Sequence, residues 1–141
     1  MQRPFEGIKI LDITHVLAGP FAAYQLAVLG ADVLKIENPY DVDQSRYMGS
    51  DKNLNAELMG TNFLTQNSNK KSITLNLKTK KARDVLKQLV KDYDILIENY
   101  RAGSFRELGL GYDDLKIINP KLIYCSMTGY GQNGPRAHHT V

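Results

Sequence analysis

Cysteine is nearly absent from this chain. Cys125 is the only one, which excludes an internal disulfide and a cysteine-based metal centre and fits a reducing, cytoplasmic setting. Long apolar runs are missing too. None approaches the roughly 18 residues that cross a bilayer, and Met1 to Phe5 lacks the basic-then-apolar layout of a signal peptide. Neither sign of charge dominates. Eighteen Lys and Arg face 15 Asp and Glu, and a net charge of +3 spread along the chain gives no reason to expect nucleic acid. Repeats and low-complexity tracts are also absent. What remains is a 141-residue sequence with 43% apolar residues, enough for one domain with a core of its own.

Short apolar runs alternate with helix-like segments, the pattern of an α/β protein with a largely parallel sheet. Strands are expected at Ile8 to Asp12, Asp32 to Glu37, Ser72 to Leu77, Asp94 to Glu98 and Leu122 to Met127. A helix is expected from Pro20 to Leu29, with Pro20 in its first turn and Gly30 as a left-handed cap. Ala82, Val85, Leu86, Leu89, Val90 and Tyr93 recur at helical spacing and predict a second helix with one apolar stripe. Shorter helices are expected at Thr61 to Gln66, Ser104 to Leu108 and Asp113 to Ile118. Between Asn38 and Leu58 the pattern fades into what reads as a long surface loop, functional or mobile. After the fifth strand comes a glycine-rich loop from Gly129 to Pro135, and the chain stops soon after, as a truncated part of a larger domain would.

In an open α/β sheet, ligands bind beyond the C-terminal ends of the strands. Four segments end there: Thr14 to Pro20, Glu37-Asn38, Asn99 to Gly103, and the loop from Gly129. The first runs into a helix N-terminus, a natural phosphate site, though an ordinary strand-to-helix connection reads the same way. Lys70, Lys71, Lys78, Lys80, Lys81 and Arg83 form a run of cations without an acid between Lys70 and Arg83; they suit a polyanion or a solvated helix start, and Lys78 at the strand end suits the polyanion best. Glu37 stands where a Rossmann enzyme places its ribose-binding acid. His15 suits a ligand loop, a general base or a capped core histidine. Adjacent His138 and His139 do not converge on one ion and have no third ligand. Cys125 and Tyr93 read as packing residues, and Ser104 and Ser126 have no evident base beside them. No nucleophile–base arrangement can be assembled from these residues.

The motifs together are similar, in order and spacing, to those of family III (CaiB/BaiF-type) CoA-transferases. The stretches concerned are Gly7 to Phe21, Leu29 to Glu37, Asn69 to Lys78, Asp94 to Gly103, Leu108 to Tyr112, Asn119 to Ser126 and Gly129 to Pro135. Only Asn38 to Leu58 is poorly matched. The resemblance implies a Rossmann-like open, largely parallel sheet with flanking helices, with residues 1–141 as the N-terminal part of the large, coenzyme A-binding domain. It implies coenzyme A or acyl-CoA as substrate together with carboxylic acids, no metal, and an interlocked homodimer for the full-length protein.

By position, the resemblance implies that Val16, Leu17 and Ala18 line the coenzyme A site. Leu75 to Lys78 would hold the adenine and phosphate end, with Lys78 as the cation. Asn99, Tyr100 and Arg101 would close on the nucleotide and diphosphate, and Arg106 would bind phosphate. Asn38 departs from an arginine that some members have there, and Thr140 from a basic residue. The implied chemistry is CoA transfer between carboxylic acids through aspartyl acyl intermediates, with the aspartate downstream of Val141. This chain then holds no catalytic residue and is inactive alone. A 2-methylacyl-CoA racemase of the same family and a non-catalytic Rossmann-like nucleotide-binding module are the alternative readings.

Overall fold

Parallel strands covered on both faces need near-continuous apolar runs, and Ile10-Leu11, Val33-Leu34 and Ile95-Leu96-Ile97 supply them. The computed structural model describes residues 3–139. Its five strands, β1 (Lys9–Ile13), β2 (Asp32–Glu37), β3 (Lys71–Thr74), β4 (Ile95–Glu98) and β5 (Ile123–Ser126), form one sheet in the order β3-β2-β1-β4-β5. Every pairing is parallel. This is the open, Rossmann-like sheet with flanking helices expected from the sequence. The chain builds outward from β1 to β3, then crosses back to place β4 on the other side of β1. The reversal leaves a crevice between the C-terminal ends of β1 and β4, the place where such sheets bind ligands.

Alternation along the strands sorts the core into two layers. Leu11, Ile13, Leu34, Ile36 and Leu96 face helix α4 (Lys80–Val90) and helices α5 (Ser104–Glu107) and α6 (Tyr112–Ile118), packing with Leu86, Val90, Phe105 and Leu115. Ile10, Val33 and Ile97 face helix α1 (Ala18–Val28) and pack on Ala23 and Ala27. The side chain of Thr79 caps α4 by accepting from the Ala82 amide. Gly30 closes α1 at φ +115°, as its position predicted.

Several expectations change. Helix α1 begins two residues earlier than Pro20, because Gly19 lets the helix start directly against the end of β1. A Cβ on Gly19 would lie 2.5 Å from Thr14 Cβ. The strand expected over Ser72 to Leu77 ends at Thr74, and Leu77 turns into the core. Val85 is 45% exposed rather than part of the buried stripe. Cys125 is exposed, since β5 is an edge strand whose face on the α1 side has no covering helix among the described residues. Tyr93 does pack against the core.

The segment from Asn38 to Leu58 is not a loose surface loop. It contains a 3-10 turn at Gln44–Tyr47 and helix α2 (Lys52–Ala56), and Asp43 and Ser45 within it are buried. Helix α3 (Thr61–Asn67) follows and packs on α1 and on the 3-10 turn.

Leu86 has no exposed surface. Leu86→Ala is expected to lower stability by about 2–5 kcal/mol in urea denaturation, and Val85→Ala on the same helix by much less.

Candidate functional site

Charged residues are rare in the middle of buried strands because desolvation is costly. Here Asp12 lies in β1 and Lys35 in β2, both essentially without solvent contact. Each has a partner from outside the sheet. Lys70 donates to Asp12 Oδ2 at 2.7 Å, and also to Pro20 O and Asn67 Oδ1, each at 2.9 Å. Lys35 Nζ donates to Thr14 O at 2.6 Å and lies 3.5 Å from Asp43 Oδ2. A third pair ends β2: Arg46 donates from Nε and Nη2 to the two oxygens of Glu37, at 2.9 and 2.7 Å, and its guanidinium lies over the Phe63 ring at 3.6 Å. Glu37 is therefore occupied by Arg46 and is not a free ribose acceptor.

These three pairs form the floor under residues 14–17. The amide of Val16 donates to both oxygens of Asp43 at 3.0 and 3.1 Å. Asn99, the first residue after β4, clamps His15 from the other side: its Oδ1 accepts from the His15 amide and its Nδ2 donates to the His15 carbonyl, both at 2.9 Å. With its amide turned so that the nitrogen faces the loop, Gln66 donates to Val16 O at 2.6 Å and Leu17 O at 3.2 Å. With its polar backbone atoms held from below, the loop presents Leu17, 63% exposed, and Ala18 outward.

Two clefts share this loop. One, of about 480 Å³, is lined by His15, Val16, Asn38, Leu75, Lys78 and Tyr100 among others. The second, of about 600 Å³, is lined by Val16, Leu17, Ala18, Asn99, Tyr100 and Arg101 together with Thr128, Gly129 and His139. Both fall in the size range of small-molecule sites. Eight of the nine candidate residues are thus brought together. Arg106 is the exception. It lines a separate cleft of about 310 Å³ with Glu98, Tyr124, Ser126 and Gln132. Thr140 lies outside the described residues. Ser126 accepts from Gln132 Nε2 at 2.6 Å, a neutral amide donor and not a base, while Gln132 Oε1 accepts from the Gly103 amide.

Of the six cations between Lys70 and Arg83, four are engaged within the fold. Lys70 holds Asp12, Lys71 pairs with Asp32, Lys80 pairs with Asp84, and Arg83 donates to the Leu77 and Lys78 carbonyls. The ammonium of Lys78 has no hydrogen-bond partner among the described residues and lines the first cleft.

Burial and the neighbouring Lys35 push His15 below its ordinary pKa of 6.5, so its imidazole is neutral at neutral pH; its Nε2 lies 3.3 Å from Tyr100 Oη. Burial alone would raise Asp43 and Glu37. Hydrogen bonds from Ser45, with Lys35 and the Val16 amide, instead pull Asp43 below its ordinary value, and Arg46 with Lys35 does the same for Glu37. Glu98 goes the other way, raised by burial. Among the described residues, no three His, Cys, Asp or Glu side chains form a group able to hold a metal.

An open parallel sheet with flanking helices and a loop-built crevice at its reversal point place the chain in the Rossmann-like α/β class. The sequence profile described as CoA-transferase family III matches residues 5–140, and the chain belongs to that family. It is 48% identical over 136 residues to the succinyl-CoA:glutarate CoA-transferase of Mus musculus, covering 96% of this chain and 30% of the relative. It is 38% identical over 135 residues to a formyl-CoA:oxalate CoA-transferase of Escherichia coli, covering 96% of this chain and 32% of that protein. A crystal structure of a CaiB/BaiF family protein from Brucella suis superposes with a TM-score of 0.88 at 36% identity, covering 99% of this chain and 37% of the other. The chain therefore spans about a third of the length of these relatives.

Sequence reasoning missed Asp12, Lys35, Asp43 and Gln66, and missed that Lys70 is structural. A charge inside an otherwise apolar strand was the available signal for the first two.

Removing one member of a buried pair strands the other. Lys70→Met is expected to cost about 3–5 kcal/mol in chemical denaturation, whereas Lys80→Ala on the surface should leave stability nearly unchanged. A second outcome concerns acid. Because Asp43 and Glu37 are depressed from 3.8 and 4.5, the unfolded chain takes up their protons first, and the stability they contribute is lost as pH falls below those values. Glu37→Gln, destabilised already at neutral pH, should show a shallower acid slope in thermal melts than the unsubstituted chain.

Proposed function

We propose that residues 1–141 form the N-terminal part of the large, coenzyme A-binding domain of an enzyme that moves coenzyme A between carboxylic acids. The observation that carries this reading is Lys78, whose ammonium has no hydrogen-bond partner among the described residues, at the rim of a cleft with a mainly apolar surface, while Lys70, Lys71, Lys80 and Arg83 are committed to the fold. A coenzyme A molecule needs such a division: apolar walls for the adenine and the pantetheine arm, and a free cation for phosphate. Membership of CoA-transferase family III and the names of the relatives support the same assignment. Val16, Leu17, Ala18 and Leu75 supply walls, Tyr100 and Arg101 face the same space from the β4 side, and Asn99 serves by holding His15.

In this reading an aspartate outside the present sequence attacks the thioester carbonyl carbon of the donor acyl-CoA. A C–O bond forms, the C–S bond breaks, and coenzyme A leaves as its thiolate, with the acyl group held as a mixed anhydride. Further acyl exchanges return coenzyme A to the acceptor acid. Five acids open to consideration for that role are engaged in the fold, while Asp41 and Glu107 line the first cleft without an ion pair among the described residues. Asp12, Glu37 and Asp43 sit in buried pairs, Asp113 pairs with Lys116, and Asp114 accepts from the Gly111 amide that begins α6. The complete enzyme would act as an interlocked homodimer in the cytoplasm, and the present chain would bind without turning over.

Calorimetric titration of the chain tests the reading. Coenzyme A should bind saturably and more tightly than pantetheine, and Lys78→Ala should weaken it about tenfold, the effect of one charge-assisted hydrogen bond. Equal affinity for pantetheine, or no effect of the substitution, would contradict it. Succinyl-CoA and a dicarboxylate incubated with the chain should show no exchange; turnover at an enzymatic rate would remove the claim that the nucleophile lies elsewhere.

A further inference from the structure

Val16 adopts φ +68°, the left-handed region in which a β-branched residue crowds its own backbone. Glycine takes this conformation freely. Valine takes it only where the surroundings hold it, so the source of the constraint must lie outside the loop's own preferences.

Asp43 stands opposite, 27 residues along the chain. Its two oxygens receive the Val16 amide, and Oδ1 also accepts from the Ser45 amide and hydroxyl. These bonds fix the carboxylate in one rotamer. Lys35 brackets the same turn, holding the Thr14 carbonyl while lying beside Asp43. Asp43 lines neither of the two clefts, although Asp41, Val42 and Gln44 around it do. Its hydrogen bond across to the loop after β1 is made to Val16, and it also caps the 3-10 turn that begins at Gln44.

We propose that Asp43 is a positioning residue: it holds Val16 left-handed and thereby keeps Val16, Leu17 and Ala18 in the shape that both clefts share. The proposal rests on the reading that these clefts take coenzyme A. Without the carboxylate, Val16 relaxes towards negative φ and only a minor fraction of molecules keeps the binding-ready loop. Apparent affinity then falls in proportion to that fraction. Glycine at position 16 would keep a much larger fraction left-handed without help.

Two readouts test this on the intact chain. Amide exchange needs no ligand. In Asp43→Asn the Val16 amide should exchange at least about tenfold faster over and above any acceleration of the Leu11 amide in β1, which reports the global stability lost by stranding Lys35. Ser45→Ala, which removes only the hydroxyl bond to Asp43, should give a milder form of the same change and serves if Asp43→Asn does not fold. Coenzyme A titration supplies the second readout. Asp43→Asn should weaken binding about tenfold beside Val16 and by less than about threefold beside Gly, in the Val16→Gly background, whatever Val16→Gly does by itself. Equal losses in both backgrounds, or a Val16 amide accelerated no more than the Leu11 amide, would overturn the positioning role. Failure of the coenzyme A reading shows separately, as no binding by the unsubstituted chain, and the exchange comparison still decides what Asp43 does.

Discussion

Three buried ion pairs at the C-terminal ends of β1 and β2 determine what the rest of the site can be. Asp12–Lys70, Lys35–Asp43 and Glu37–Arg46 take six charged groups out of water or nearly so. Such pairs contribute little net stability compared with apolar packing, but each becomes costly the moment one partner is removed. Their effect is therefore geometric. They require that the end of β1, the segment around Asp43 and the segment ending at Lys70 occupy one arrangement, and that arrangement is the floor beneath residues 14–17.

From this floor the two halves of the sheet are joined at the reversal point. Asn99 reaches from the end of β4 to hold both backbone polar atoms of His15, which ties the loops after β1 and β4 together. Glu98 performs a comparable task one strand further out. It accepts from the Tyr100 amide at 2.8 Å and from Tyr124 Oη at 3.4 Å, while Gln132 ties Ser126 to Gly103. The strand-end loops thus form a connected rim. Local strain at Val16 is sustained because the structure around it is over-determined.

The sheet was legible in the sequence because its signals are local. Apolar runs at β1, β2 and β4, the stripe of Ala82, Leu86 and Val90, and Gly30 as a cap all report the fold from neighbouring residues. The ends of elements were less legible. Helix α1 starts at Ala18 because Gly19 fits against Thr14, a contact no periodicity reveals, and Cys125 is exposed because β5 lacks a neighbour on one face. The candidate residues Val16, Leu75, Lys78, Tyr100 and Arg101 came from resemblance in motif order, and the clefts gather them. What stayed hidden was the support. Asp43 lies in a stretch without pattern, and its role depends on Lys35 and Val16, distant in sequence. Pairing across such distances leaves no trace in composition or spacing, so the segment from Asn38 to Leu58 read as loop although it carries one wall of the site.

A crystal of this chain soaked with coenzyme A measures the central claim most directly. The nucleotide should lie between the loop at Val16 to Ala18 and the ends of β3 and β4, with a phosphate oxygen within hydrogen-bond distance of Lys78 Nζ and the residues below in the positions described. Density for the nucleotide on another face of the sheet, with this crevice open and vacant, would contradict it.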